Sequence, residues 1–210
     1  MTSLSWIPQG AVEGFNRLSF GLRVAHFDPP PPEMLGDLDE LQTTDRFRFA
    51  NRLEAWIKVQ DGRIVDAGQN GGGRVNVTKV GYGPASVAFT PVVLPDLRPD
   101  PEIGTGWARF VQTAGGRTGF PTPRRVCHEP YMQIGGPVTW TTLALTIHAD
   151  GTAEQRLAGA SSFPRHWVYD HTGRLVAKWR PWSGRRRPLR WSRSPSAGHS
   201  ASPPGAGPGS

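Results

Sequence analysis

One feature constrains the fold of this chain most. Short stretches in which apolar and polar residues alternate are separated by sequences typical of tight turns. Leu143 and Leu145 lie two residues apart in such a stretch, and Asp150-Gly151 follows them. Side chains that repeat with a period of two line one face of a β-strand. An Asp-Gly pair also occurs at Asp61-Gly62, where we predict a type I′ hairpin turn, because both central residues of such a turn need positive φ angles. The pattern predicts antiparallel hairpins that turn at Asp150-Gly151, at Asp61-Gly62 and at His171-Thr172-Gly173. The alternation of Phe20, Leu22 and Val24 predicts a further strand over residues 20–27. Similar patterns recur along most of the chain.

Glycine and proline support the same fold class. The 26 glycines and 21 prolines among 210 residues suit short strands joined by turns better than long helices. One segment departs from the strand pattern, because Leu35, Leu38 and Leu41 follow Pro32 at helical spacing. We therefore predict an all-β fold, an antiparallel meander of about nine or ten strands that forms a β-barrel or a strongly curved sandwich, with one short helix near residues 32–42.

The positive charge is concentrated near the end of the chain. The sequence contains 24 Lys and Arg against 17 Asp and Glu, a net charge of +7. Six arginines and no acidic residue lie within residues 180–210, so the preceding residues carry only +1. This excludes the body of the chain as a basic nucleic-acid-binding domain. We predict a single β-rich domain over residues 1–179 and a disordered Arg/Pro/Ser/Gly-rich tail over residues 180–210, a composition that an unselected or frame-shifted extension would also have.

Cys127 is the one cysteine in the sequence, which excludes a domain stapled by intrachain disulfides. The first residues lack the basic and apolar regions of a signal peptide. No stretch approaches the roughly 20 apolar residues of a membrane helix, so we expect no membrane span. Together these features predict a cytoplasmic protein.

The most distinctive local sequence is the string at residues 163–170, which is rich in aromatic and ionisable side chains. If it is a strand, His166 and Asp170 share one face, while Arg165, Trp167 and Tyr169 share the other. His166 and Asp170 are then about 13 Å apart, too far for a direct hydrogen bond. A guanidinium, an indole and a phenol on one face are suited to line a pocket for a flat or anionic ligand.

We predict that the protein binds a small, partly apolar ligand inside the barrel or beneath the sheet. Aromatic side chains would line or cover the ligand, and Arg165 or His166 would be the polar contact. The expected aromatic residues are Trp56, Trp140, Trp167 and Tyr169.

Two other functions compete with simple binding. An enzyme in the same pocket would use His166, Tyr169 or Asp170 as acid or base. A nucleic-acid or interaction protein would act only through the tail, where arginines alternate with tryptophans. We expect no metal site and no cofactor, because the six histidines show no ligand spacing and the glycine-rich residues 68–73 lack the Gly-Lys-Ser/Thr ending of a phosphate loop. The sequence leaves the ligand's identity and the oligomeric state open.

Overall fold

The computed structural model of the chain describes residues 1–9, 27–82, 85–117, 122–125, 128–129, 131–135 and 138–179. These residues form antiparallel β-sheets and one short helix, as the sequence predicts. The helix is α1 (Leu38–Thr43). The strands are β1 (Thr2–Trp6), β2 (Phe49–Gln60), β3 (Arg63–Val75), β4 (Thr78–Tyr82), β5 (Ala85–Phe89), β6 (Val92–Val93), β7 (Glu102–Ile103), β8 (Trp107–Arg117), β9 (Thr122–Arg125), β10 (Met132–Gly135), β11 (Val138–His148), β12 (Ala153–Ala160), β13 (Arg165–Tyr169) and β14 (Leu175–Trp179).

Two five-stranded sheets make up most of the structure. The first has the order β14-β13-β1-β2-β3. The second has the order β12-β11-β8-β6, with β7 also paired to β8. Strand β1 lies between β2 and β13, so the first sheet joins the two ends of the described chain and departs from a simple meander. Within the described ranges neither sheet closes on itself into a barrel.

The first sheet is covered on its inner face by the second sheet and, over part of its outer face, by the helix. On its inner face Leu53 and Val168 pack with Phe110, Leu143 and Leu145 of the second sheet in one apolar cluster. On its outer face a second cluster joins residues of β1, β2 and β13 to the helix. Its fully or nearly buried members are Leu4, Leu38, Phe47, Ala50 and Tyr169.

Helix α1 begins later than the sequence predicts. Asp37 caps it, since its carboxylate accepts a hydrogen bond from the Asp39 amide at 2.8 Å. The preceding residues pair with the turn between β13 and β14 instead. The Leu35 amide donates to the Gly173 carbonyl at 2.7 Å, and the Leu175 amide donates to the Glu33 carbonyl at 3.0 Å. These bonds hold residues 33–35 outside the helix, although Leu38 and Leu41 still face the apolar cluster as expected.

Several predicted turns are confirmed. Asp61 and Gly62 both have positive φ, 51° and 72°, between β2 and β3, as a type I′ turn requires. Gly151 and Gly173, in the turns after β11 and β13, have φ of 85° and 82°. The strand predicted over residues 20–27 and the predicted tail over residues 180–210 lie almost entirely outside the described residues.

A glycine in β3 provides a test of the packing between β2 and β3. Gly71 has a φ of 113°, and a methyl group there would collide with the carbonyl oxygen of Arg52. We expect Gly71→Ala to lower the free energy of unfolding by about 1–3 kcal/mol. Gly36 has open space around it, so Gly36→Ala is the control. Urea denaturation of both variants measures the difference, and equal midpoints would contradict the prediction.

Candidate ligand-binding site

His166 lies on the inner face of the first sheet and is completely buried. Its Nε2 is 2.8 Å from the carbonyl oxygen of Ser161, and its Nδ1 is 2.7 Å from Oγ of Ser5. A carbonyl oxygen only accepts, so Nε2 carries the ring proton and Nδ1 accepts from the Ser5 hydroxyl. Burial lowers the pKa of His166 to about 4, against the weaker opposing effect of the Ser161 carbonyl. The imidazole is therefore neutral and engaged on both nitrogens within the protein.

His166 belongs to a wider set of buried polar side chains between the two sheets. Ser3 Oγ is 2.9 Å from Thr141 Oγ1. Asn51 Nδ2 donates to the Thr141 carbonyl at 3.0 Å, and Gln112 Nε2 donates to Asn51 Oδ1 at 2.5 Å. We call this set the polar layer; its members are Ser3, Ser5, Asn51, Gln112, Thr141 and His166. These side chains fill this part of the space between the sheets and join the sheets by hydrogen bonds.

Tyr169 is buried on the outer face of the same strand. Its hydroxyl donates to the Pro32 carbonyl at 2.7 Å, and its ring belongs to the cluster beneath the helix. Burial raises the pKa of the Tyr169 phenol above its usual value. The phenol is thus a structural hydrogen-bond donor that ties residue 32 to β13.

Asp170 organises the turn between β13 and β14. Its Oδ1 accepts hydrogen bonds from the Thr172 amide at 2.8 Å, the Thr172 hydroxyl at 2.6 Å and the Arg174 amide at 3.0 Å. Burial acts to raise the pKa of Asp170, but these hydrogen bonds outweigh it and the pKa is lowered. His166, Tyr169 and Asp170 therefore occupy the inner face, the outer face and the turn, and no two of them face a common space.

Beyond the helix, the outer face of the first sheet carries two tryptophans and two cations. The rings of Trp6 and Trp167 meet edge to face, with centroids 5.4 Å apart and planes at 80°. Lys178 Nζ lies 4.4 Å from the centroid of the Trp167 ring. Arg165 is the cross-strand partner of Trp6. We call these four residues the cationic aromatic patch.

Two cations of this patch lack a carboxylate partner among the described residues, and one buried donor lacks a hydrogen-bond partner. Within the described part of the chain, neither Arg165 nor Lys178 forms a salt bridge with a carboxylate. Trp6 is buried, and its Nε1 has no hydrogen-bond partner. A buried N–H without a partner costs free energy. The patch therefore presents two uncompensated positive charges beside the half-buried Trp167 ring, while the unsatisfied Trp6 N–H lies beneath the surface.

Only two of the six predicted ligand-binding residues lie in this patch, namely Arg165 and Trp167. Trp56 lies on the outer face of the β2–β3 hairpin, and Trp140 lies on the outer face of the second sheet. Both are exposed, by 52% and 37%. Trp6 and Lys178 did not emerge from the sequence, because their proximity to Trp167 depends on strand register, which alternation does not specify.

The remaining predictions concern metals, membranes and residues outside the described ranges. Among the described residues, no group of three His, Cys, Asp or Glu side chains is placed to hold a metal ion. Across the same ranges, no helix has the length and apolar character needed to cross a membrane. Cys127 and His26 lie outside them. Comparisons with protein-family models, with curated proteins and with solved structures found no match for this chain.

Proposed function

We propose that the protein binds a small ring-shaped anion at the cationic aromatic patch. The observation that carries this proposal is the pair of unneutralised cations, Arg165 and Lys178, beside the perpendicular rings of Trp6 and Trp167. The ligand is a flat apolar ring that bears a carboxylate, sulfate or phosphate group. This keeps the small, partly apolar ligand predicted from the sequence, but moves it from the interior of the fold to the outer face of the first sheet.

Each member of the patch has a distinct part in this proposal. The half-buried ring of Trp167 offers apolar surface to an aromatic ligand, and the buried ring of Trp6 holds the Trp167 ring in place, with the two planes at 80°. The Arg165 guanidinium supplies paired donors in the geometry that carboxylate and phosphate oxygens accept. Lys178 contacts the Trp167 ring in the free protein and would turn toward the anionic group.

The interior of the fold offers less support for ligand binding. The polar layer and the apolar cluster around Phe110 and Leu143 occupy the space between the sheets. Opening that space would break hydrogen bonds between buried groups, which is unfavourable. Binding on the outer face leaves those interactions intact. The barrel or curved-sandwich form, the disordered tail and the cytoplasmic location stay predictions.

A pair of related fluorescent probes tests the role of charge. Anilinonaphthalene sulfonate carries an anionic group, and N-phenylnaphthylamine is its neutral analogue. We expect Arg165→Gln/Lys178→Gln in the full chain to weaken sulfonate-probe binding at least about tenfold, because charge-assisted hydrogen bonds are lost. Binding of the neutral probe should change little. Fluorescence titration of both probes gives the two dissociation constants.

The control for this test removes the same charge elsewhere. Arg63→Gln/Arg174→Gln replaces two exposed arginines outside the patch and should leave sulfonate-probe binding unchanged. Equal affinities of the wild type and of the patch variant for the sulfonate probe would refute the proposal. An oligo-dT strand is titrated in parallel. If oligo-dT binds the wild type and the patch variant equally, and the sulfonate probe binds neither, the basic tail is the binding element instead.

A further inference from the structure

Trp56 occupies the centre of a second outward surface, on the β2–β3 hairpin. Its chain neighbours Ala55 and Ile57 pack against the apolar cluster between the sheets, so Trp56 points the opposite way. The cross-strand partner of Trp56 is Gly68. The next pairs on the same face are Glu54 with Asn70 and Lys58 with Asp66. We call the surface formed by Glu54, Trp56, Lys58, Asp66 and Asn70 the hairpin platform.

Gly68 determines how the indole is seated. A side-chain carbon at this position would lie 2.7 Å from Cε2 and Cζ2 of Trp56 and 2.8 Å from its Nε1. Glycine therefore allows that side of the ring to rest against the backbone of β3. The indole nevertheless remains 52% exposed. An exposed tryptophan held against a sheet is a rigid apolar surface that loses little conformational entropy when a ligand covers it.

The polar groups around this ring are balanced in charge. Glu54 pairs with Arg52, which lies two residues earlier on the same strand face. Lys58 and Asp66 are opposite charges at adjacent positions. Arg52 lies beside the hairpin platform, and with it the two positive and two negative side chains of these pairs sum to zero. A surface with no net charge provides no electrostatic attraction for the phosphates of a nucleic acid, and it disfavours a strongly ionised ligand. The charges therefore select for a neutral ligand.

The same polar groups offer both donors and acceptors. Asp66 Oδ1 accepts from the Ala67 amide, and Asn70 Oδ1 accepts from the Gly71 amide, at 2.9 and 2.8 Å. These local bonds fix the two side chains. They leave the other carboxylate oxygen of Asp66 as an acceptor and the amide nitrogen of Asn70 as a donor, since neither has a partner among the described residues. An aromatic ring within a rim of neutral donors and paired charges matches a molecule with an apolar face and a hydroxyl-bearing edge.

We infer that the hairpin platform binds a neutral saccharide. The C–H groups on one face of a pyranose ring pack on the electron-rich face of the Trp56 indole. The hydroxyl groups at the ring edge donate to Asp66 and Glu54 and accept from Asn70 and Lys58. This site is separate from the cationic aromatic patch and does not depend on the function proposed for that patch.

Affinity electrophoresis of the full chain tests this inference. Native gels contain hydroxyethyl cellulose, glycogen or galactomannan as neutral polysaccharides, and alginate as a polyanion. We expect at least one neutral polysaccharide to retard the wild-type protein. Trp56→Ala should weaken that binding about tenfold or more, comparable to the loss of one base–aromatic stack. Asp66→Asn/Asn70→Ala should weaken it by a smaller factor.

A second exposed tryptophan provides the matched control. Trp140 lies on the outer face of the second sheet between Val138 and Thr142. Arg117 is the cross-strand partner of Val138, and in the described strands no carboxylate occupies the cross-strand positions around Trp140. Trp140→Ala should migrate as the wild type does, and so should Arg165→Gln/Lys178→Gln. Three results overturn the inference: no retardation of the wild type by any neutral polysaccharide, retardation by alginate alone, or equal retardation of the wild type and Trp56→Ala. A failure of the sulfonate-probe test leaves this result unaffected.

Discussion

Arg48→Met is expected to lower the free energy of unfolding by about 3–5 kcal/mol, the usual cost of breaking a buried ion pair by removing one of its members. Arg48 and Asp28 are almost fully buried. Arg48 Nη2 lies 2.9 Å from Asp28 Oδ1 and 2.6 Å from Asp45 Oδ1. The guanidinium also donates to the Asp45 carbonyl at 3.1 Å. Methionine preserves the apolar volume of the side chain but removes the guanidinium, so the buried Asp28 carboxylate loses its ion pair with Arg48. Urea denaturation at neutral pH measures the loss.

A double-mutant cycle separates the charge from the packing. In Asp28→Asn the side-chain oxygen still accepts from the Ile7 amide, which donates to Asp28 Oδ2 at 2.8 Å, but the negative charge is gone. We expect Asp28→Asn/Arg48→Met to lose less free energy of unfolding than the sum of the two single losses, because the negative charge that Arg48 contacts is no longer present. Arg74→Met removes the exposed pair with Asp39 and should cost less than about 1 kcal/mol. A loss of this small size for Arg48→Met would refute the structural role of the buried pair.

The strands with apolar inner faces were predictable, because side-chain alternation is a property of the strand itself. Leu143 and Leu145 are buried in the cluster between the sheets, as their spacing predicts. In strand β1, side-chain alternation does not predict which face is the inner one. Its inner residues are Ser3 and Ser5, while Leu4 and Trp6 face outward beneath or beside the helix. Both faces of β1 are covered, so the polar residues inside are stabilised by hydrogen bonds that sequence alternation does not reveal.

Within a single strand, the sequence predicts on which face each residue of the candidate site lies. Period two correctly placed Trp167 and Tyr169 on one face of β13 and His166 on the other. The contacts of each side chain depend on its cross-strand neighbours, and strand register determines which residues these are. Pairing of β13 with β1 and β14 brings Trp6 and Lys178 to Trp167. Trp56 and Trp140 lie on the outer faces of different sheets, a separation that depends on topology rather than local sequence.

Acidification is expected to destabilise the protein through His166 by about 3 kcal/mol between pH 7 and about pH 4. The pKa of His166 is about 4 in the folded protein, whereas an unfolded histidine titrates near 6.5. Below about pH 6.5 the histidine of the unfolded chain binds a proton that His166 of the folded chain does not. The free energy of unfolding therefore decreases as the pH is lowered, until the pH reaches the pKa of His166 in the folded protein. The expected loss follows from about 1.4 kcal/mol for each pKa unit. Above about pH 7 this contribution to stability is fully present. Urea denaturation across this range gives the profile.

Two histidine variants isolate this contribution from the titration of the carboxylates. His166→Gln removes the titrating group, and it should lower stability at pH 7 because Ser5 and Ser161 lose a well-placed partner. Between pH 7 and about pH 4, the free energy of unfolding of His166→Gln should decrease by about 3 kcal/mol less than that of the wild type. His171→Gln replaces an exposed histidine in the turn after β13 and should follow the wild-type profile. If the wild type and His166→Gln lose equal stability between pH 7 and about pH 4, His166 is not held neutral in the folded protein. The buried imidazole would then have to be reached by solvent or paired differently with Ser5 and Ser161.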